Sequence, residues 1–228
     1  MSKILHIETA VNVCSIVIAD EGKILSVKES YEPRVHASMT AVFIKEAMEE
    51  SGLSFKELDA IAVSKGPGSY TGLRIGVATA KGLCFTLEKP LIAINTLKAM
   101  AASFLINNPS IYKDQLLVPL IDARRMEVYG CVLDQQLNYI EQTKAEVLNM
   151  NSFMTSPETP RIIFGDGAAK TIEIYNQYNN VKIIDDFKHS ALGLVNLSCE
   201  YYQKGRFEEL AYFEPYYLKE FLDNKLKS

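Results

Sequence analysis

Three histidines, His6, His36 and His189, are the only imidazoles in this 228-residue chain. A helix that binds a metal through two imidazoles carries them one turn apart, and one turn after His36 stands Thr40. His36 therefore reads as a capping or surface residue at the start of a helix. His6 lies inside an apolar strand and reads as structural, and His189, in "DFKHSALG", precedes the last long helix. The chain has no Ser–His–Asp order, no G-x-S-x-G elbow and no metal-ligand cluster. Two acids, Glu8 and Asp122, close apolar strands, where a nucleotide-linked magnesium would be held, but neither has an evident base beside it. No catalytic residue and no metal ligand is assigned.

The stretch "SKGPGSYTGLRIG", residues 64–76, is the next candidate for chemistry. It is not a P-loop, which needs G-x-x-x-x-G-K-[ST]. Nor is it a dinucleotide fingerprint, because after Gly66 and Gly68 the third glycine comes one place late, at Gly72. What remains is a strand-to-helix turn whose free N–H groups favour an anion. In the helix that follows, Gly72, Gly76 and Ala80 share one stripe, and Ala78 and Gly82 repeat the spacing on its neighbour. An interior glycine costs about 1 kcal/mol against alanine, so such a helix needs a close contact in return. That contact is either its own sheet or a second protein. Arg74, in the first turn, has the wrong sign for the helix dipole and is read as serving an acidic partner or an anion.

The elements that must position these residues follow from periodicity. "ILHIETA" reads as a strand, and two more in "VCSIVIADEGKILSVKESY" are joined at a tight turn through Asp20 and Gly22. "HASMTAVFIKEAMEESG" has a helical period through Met39, Val42, Phe43, Ala47 and Met48, closed by Gly52. Ser54 and Glu57 form a capping box. A strand "LDAIAVS", the glycine loop and its helix, a strand "PLIAIN" and a helix "TLKAMAASFLI" complete the first half. Polar residues 107–115 separate the halves.

The opening pattern then returns. "PLIDARRMEVYGCVLDQQLNYI" aligns with the start of the chain, Glu8 against Asp122, and "RIIFGDGAAKTIEIY" repeats strand, glycine turn and helix. A duplicated βββαβα unit, its second copy shorter and degraded, accounts for this. The tyrosines and phenylalanines around Pro215 are expected to pack between the two lobes.

A net charge of −4 and a pI near 5.5 argue against a chain that grips nucleic acid alone, since such domains present a basic face. The four cysteines, Cys14, Cys84, Cys131 and Cys199, are far apart and read as buried thiols of a reducing compartment. No apolar run reaches the roughly 20 residues of a membrane span, and the N-terminus lacks a signal peptide's features. A cytoplasmic protein is expected.

"ILHIETA", "KGPGSYTGLRIG", "AKGLCFTLEKPLIAINTL", "DARRMEVY", "FGDGA" and "FEPYYLK" together resemble the bacterial TsaB (YeaZ) family over nearly the whole chain. That family works in making N6-threonylcarbamoyladenosine on tRNA. The resemblance implies an α/β, actin-like ATPase (ASKHA) fold with two lobes of βββαβα design. The first lobe would span residues 1–106 and the second 107–228, the final helix packing back on the first. It implies a non-catalytic partner of TsaD, the relative that transfers threonylcarbamoyl to the adenosine 3′ of the anticodon. TsaD carries H-x-x-x-H where this chain has His36 and Thr40, so peptidase labels borrowed from that relative do not carry over. Glu8 where aspartate is frequent, and Lys219 where arginine is usual, weaken an independent ATP site.

By the same resemblance, Met39, Val42, Phe43 and Glu46 of the first helix bind the partner, with Arg74, Val77, Ala78 and Lys81 of the second. A vestigial nucleotide site would comprise Glu8, Thr9, Gly66, Gly68, Gly165, Asp166 and Gly167. No cofactor is required, with ATP or ADP placed at most at a complex interface. The ATPase TsaE would dock on the pair, tRNA would be met only through the complex, no membrane is involved, and a homodimer forms in isolation. The competing reading is a stand-alone ATP-dependent kinase or ATPase of the same fold.

Overall fold

At the turn between Asp20 and Lys23, Glu21 and Gly22 both adopt left-handed backbone, φ 50° and 84°. That pair of conformations suits a two-residue hairpin, and it joins β2 (Cys14–Asp20) to β3 (Lys23–Ser30) in the computed structural model, which describes residues 2–108 and 114–219. β1 (Lys3–Glu8) pairs antiparallel with β2 and parallel with β4 (Ala60–Gly66). β4 pairs parallel with β5 (Leu91–Asn95), so the first sheet runs β3-β2-β1-β4-β5.

Both faces of this sheet are covered, which is why its central strands are apolar nearly throughout. Leu5, Ile7, Ile61 and Val63 face α1 (His36–Ser51) and α2 (Tyr70–Leu87), packing on Ala47, Met48, Val77 and Ala80. Ile4, Val17, Ala62 and Ile92 face the other way, toward Ala99, Leu194 and Leu197. α1 closes at Gly52, whose φ of 70° a side chain rarely adopts. The Ser54–Glu57 capping box opens a 3-10 turn, Phe55–Glu57.

α3 (Thr96–Asn107) is capped by Asn95, whose side chain accepts from the N–H groups of Leu97 and Lys98. Thr96, Leu97 and every residue from Ala99 to Phe104 are buried, as expected of a helix that is apolar all round. Ala99 and Ala102 face the first sheet, while Leu97, Met100 and Phe104 face the second. α3 is therefore the layer between the sheets.

The second sheet comprises β6 (Leu116–Asp122), β7 (Glu127–Leu133), β8 (Tyr139–Val147), β9 (Arg161–Phe164) and β10 (Val181–Ile184). Its order, β8-β7-β6-β9-β10, reproduces the first sheet strand for strand, with β6 in the place of β1. Glu8 and Asp122 thus end corresponding strands. The copy differs where the sequence had degraded. No helix stands between β8 and β9, where Pro157 and Pro160 break any helical run. Instead the buried guanidinium of Arg161 donates to the carbonyls of Phe153, Thr155, Ser156 and Thr159. The helix after the second glycine turn is only a 3-10 turn (Ala168–Thr171) and α4 (Ile172–Tyr175).

α5 (Leu192–Gln203) packs on α3 and the first sheet, not on the second. Beyond it, residues 207–217 form a strap across the edge of the first sheet, with Glu208 N–H donating to Leu91 O and Tyr216 N–H to Lys65 O. The aromatic tract here does not pack between the lobes. Leu210 and Phe213 enter the first core, while Tyr212, Tyr216 and Tyr217 are 80%, 40% and 37% exposed. Cys14, Cys84 and Cys131 are buried thiols, but Cys199 is only half-buried.

Candidate functional site

The glycines of the loop after β4 approach the chain's own backbone. At Gly68 a Cβ would overlap the carbonyl of Ala10, and at Gly72 that of Thr9. At Gly76 it would strike the Thr9 hydroxyl, and at Gly66 it would lie 2.5 Å from the carbonyl oxygen of Tyr216. Ser69 N–H donates to Ala10 O, and the Thr9 hydroxyl donates to Gly72 O at 2.8 Å. Close packing of α2 onto the turn after β1 is what these small residues secure. Of the two contacts open at the sequence level, the stripe Gly72–Gly76–Ala80 makes the one with its own sheet. The stripe Ala78–Gly82 faces outward, and nothing lies within 4 Å of a Cβ built on Gly82.

Glu8, fully buried, sits beneath that turn. One carboxylate oxygen accepts from Ala10 N–H at 2.7 Å, and the other accepts from the Ser64 hydroxyl and from His189 Nε2 at 2.8 Å. The sequence placed no base beside Glu8. His189 is that neighbour, brought by the segment that leads into α5. Ser190 and Ser15 extend the knot, to Glu29 at 2.8 Å and from Ala191 N–H at 3.0 Å. His6 is a second buried imidazole: its Nδ1 lies 3.0 Å from Val17 O, which can only accept, so Nε2 accepts from the Ser198 hydroxyl at 2.8 Å. Burial pushes the His6 pKa down to about 4. His36 caps nothing. Its Nε2 pins the turn after β1 through Val11 O and Val13 O, at 2.8 and 3.1 Å.

These residues do not fit a magnesium nucleotide. The Glu8 carboxylate is occupied, Thr9 is spent on Gly72, and Gly66 and Gly68 are filled by the strap and by Ala10. Gly165 and Gly167 likewise press on Leu120 and Ile121. Asp166 alone of the seven is exposed, 3.4 Å from the Asn12 amide across the gap between sheets. That gap has a volume of about 200 Å³, below the roughly 300 Å³ at which small-molecule sites begin. No cluster of three metal-ligating side chains occurs among the described residues.

The remaining candidates lie on α1 and α2. Val42 (42%), Glu46, Arg74 and Ala78 are exposed, and Met39, Phe43 and Lys81 are half-buried. Val77 is 4% exposed and belongs to the core beneath, so it is not part of this face: it follows Gly76 on the inward side of the helix. Arg74 and Lys81 have partners within the chain. The Arg74 guanidinium stacks over Tyr70, 4.2 Å from the ring centre, and is hydrogen-bonded to Tyr217. Lys81 Nζ donates to Phe213 O at 2.9 Å and Ala211 O at 3.4 Å. Sequence reasoning missed Phe85, 78% exposed on the same outward side. Its signal was present: Phe85 stands seven residues after Ala78, a heptad step that returns to the same face.

Residues 30–225 match the family model described as TsaD: tRNA N6-adenosine threonylcarbamoyltransferase. A tRNA threonylcarbamoyladenosine biosynthesis protein TsaB of Escherichia coli K12 is 28% identical, over 95% of this chain and 94% of its own. The chain belongs to this family, as a TsaB (YeaZ) member. The structure of YeaZ from Pseudomonas aeruginosa superposes with a TM-score of 0.84 at 23% identity, over 96% of this chain and all of that one. An inorganic polyphosphate/ATP-glucomannokinase from an Arthrobacter strain reaches 0.51 at 11% identity, covering 90% of this chain and all of that one. The fold is thus the two-lobed actin-like ATPase architecture.

For a TsaB-family chain, position 40 has a physical reading. Thr40 is 2% exposed, its hydroxyl 2.6 Å from His36 O and 3.5 Å from Cys14 Sγ. A second imidazole there would have to fit inside the core.

Proposed function

We propose that this chain is a subunit of the bacterial machinery that makes N6-threonylcarbamoyladenosine in tRNA. It serves as a non-catalytic scaffold and pairs with the transferase TsaD through the outer face of α1 and α2. One observation carries the reading. Ala78, Gly82 and Phe85 of α2 and Val42 of α1 are exposed, and Met39 is half-buried, on two helices that pack side by side over one face of the first sheet. The small Ala78 and Gly82 would let a second helix pair come close. Glu46 adds charge at its edge. The occupied Glu8 carboxylate weighs against the alternative, a self-sufficient kinase or ATPase.

TsaE docks on the TsaB–TsaD pair in this proposal, and tRNA is reached through the complex, as the chain's acidic balance suits. ATP or ADP belongs to that complex's interfaces, and no step on this chain runs through it. Without TsaD, the same face pairs two copies of the chain.

The test is reconstitution. TsaD and TsaE are expected to modify tRNA when this chain is added and to lose that activity when it is left out, while the isolated chain leaves ATP unhydrolysed. Robust ATP turnover by the isolated chain, abolished in Glu8→Ala, would replace the scaffold with an enzyme.

A further inference from the structure

The strap beyond α5 is held firmly yet displays its aromatic residues. Leu210 and Phe213 are half-buried against the first core, Lys81 holds two of the strap's carbonyls, and Tyr216 N–H is bonded to Lys65 O at 2.6 Å. Between these anchors Tyr212 is 80% exposed. A single exposed apolar residue needs no explanation, but several exposed aromatic rings lining one concavity on a fixed backbone mark an interaction site. Tyr212, Tyr216 and Tyr217 line a concavity of about 580 Å³, with Glu209 and Glu214 among its walls.

We propose that this concavity receives a lysine- or arginine-bearing segment of a partner protein. Its charge selects the occupant. Among the described residues Lys65 is the one cation on the wall, and it is matched by Glu208 at 3.6 Å. Glu209 and Glu214 have no ion pair among the described residues, so the wall keeps two uncompensated carboxylates. The negative faces of the tyrosine rings attract a cation in the same sense. A nucleic acid would bring its phosphates against those carboxylates, and an acidic peptide would be repelled likewise. The strap adjoins α2 through Arg74 and Lys81, but Ala78, Gly82 and Phe85 do not line the concavity, so the proposal goes beyond the pairing above.

A titration of the full ¹⁵N-labelled chain, followed by amide shifts, tests it. The probes are a hexapeptide of alternating arginine and serine, the same peptide with glutamate for arginine, and hexa-adenylate. The basic peptide is expected to shift residues 65 and 208–217, more weakly as salt rises. Its affinity should fall at least fivefold in Glu209→Gln/Glu214→Gln and in Tyr212→Ala, all exposed positions, and stay unchanged in Ala78→Trp. No clustered shifts, equal affinity in the strap variants, or hexa-adenylate binding there instead would overturn the proposal. So would shifts at these residues caused by deleting residues 220–228, or by dilution of the chain alone, which would assign the pocket to the chain's own tail or to a second copy.

Discussion

Glu8 and His189 stand 181 positions apart in sequence and meet at 2.8 Å, both almost fully removed from water. The pair ties the first strand to the segment that carries α5 onto the first sheet. With Ser64 and Ala10 N–H it consumes the acid that closes the first strand, leaving that carboxylate no free oxygen for a ligand. The one carboxylate that ends the central strand β1 serves here as a structural cross-link.

Removing the Glu8 carboxylate leaves its buried hydrogen-bond donors unsatisfied, at a cost of about 1–3 kcal/mol for a buried polar group. Glu8→Ala is expected to lower unfolding free energy by that order in urea denaturation. The double variant with His189→Ala should lose markedly less than the two single losses added together. Strict additivity would mean that the two side chains do not interact.

The two small-residue stripes of α2 predict opposite outcomes for one substitution. Gly72→Ala forces a Cβ onto the Thr9 carbonyl and should destabilise by about 1–3 kcal/mol, the range for overpacking. Gly82→Ala meets open space and should gain up to about 1 kcal/mol from helix propensity. Thermal melts of both variants decide the matter, and the reverse order would place the stripes the other way round.

Bulk on the outward stripe should separate association from folding. Ala78→Trp and Phe85→Ser are expected to abolish co-elution with TsaD while leaving the monomer's melting curve within a few degrees of the parent. Val77→Ala, beneath the same surface, should do the converse, lowering stability by about 1–3 kcal/mol through lost burial while the complex persists. An intact complex in Ala78→Trp would remove this face from the interface.

His6 makes stability depend on pH. Its folded pKa, about 4, lies below the ordinary value of 6.5 because burial disfavours the imidazolium. Between those values the unfolded chain binds the extra proton, so stability falls as pH drops from 6.5 and the loss is complete below about 4. The full contribution is on the order of 3 kcal/mol. His6→Gln should be less stable at neutral pH, yet its stability should decline less steeply than the parent's from pH 6.5 to 4. Parallel declines would mean that His6 is not neutral in the folded chain.

The succession of strands and helices, the hairpin turn between Asp20 and Gly22, the Gly52 stop, the Ser54–Glu57 capping box and the duplication were legible along the chain. Each rests on local rules: alternation for strands, left-handed residues at turns, and a glycine or a capping box at the ends of the first helix and the turn after it. The family, too, was carried by contiguous strings around the glycine loop. What each glycine of that loop approaches was not legible, because a small residue records that something comes near without naming it. Only the tertiary structure divided α2 into an inner stripe resting on Thr9 and Ala10 and an outer stripe facing water. It also placed Val77 in the core, turned Arg74 and Lys81 toward the strap, and brought His189 to Glu8. Those assignments depend on contacts between residues far apart in sequence. Such contacts form when sheets and helices pack, and local periodicity, which reports only a residue's own element, carries no trace of them.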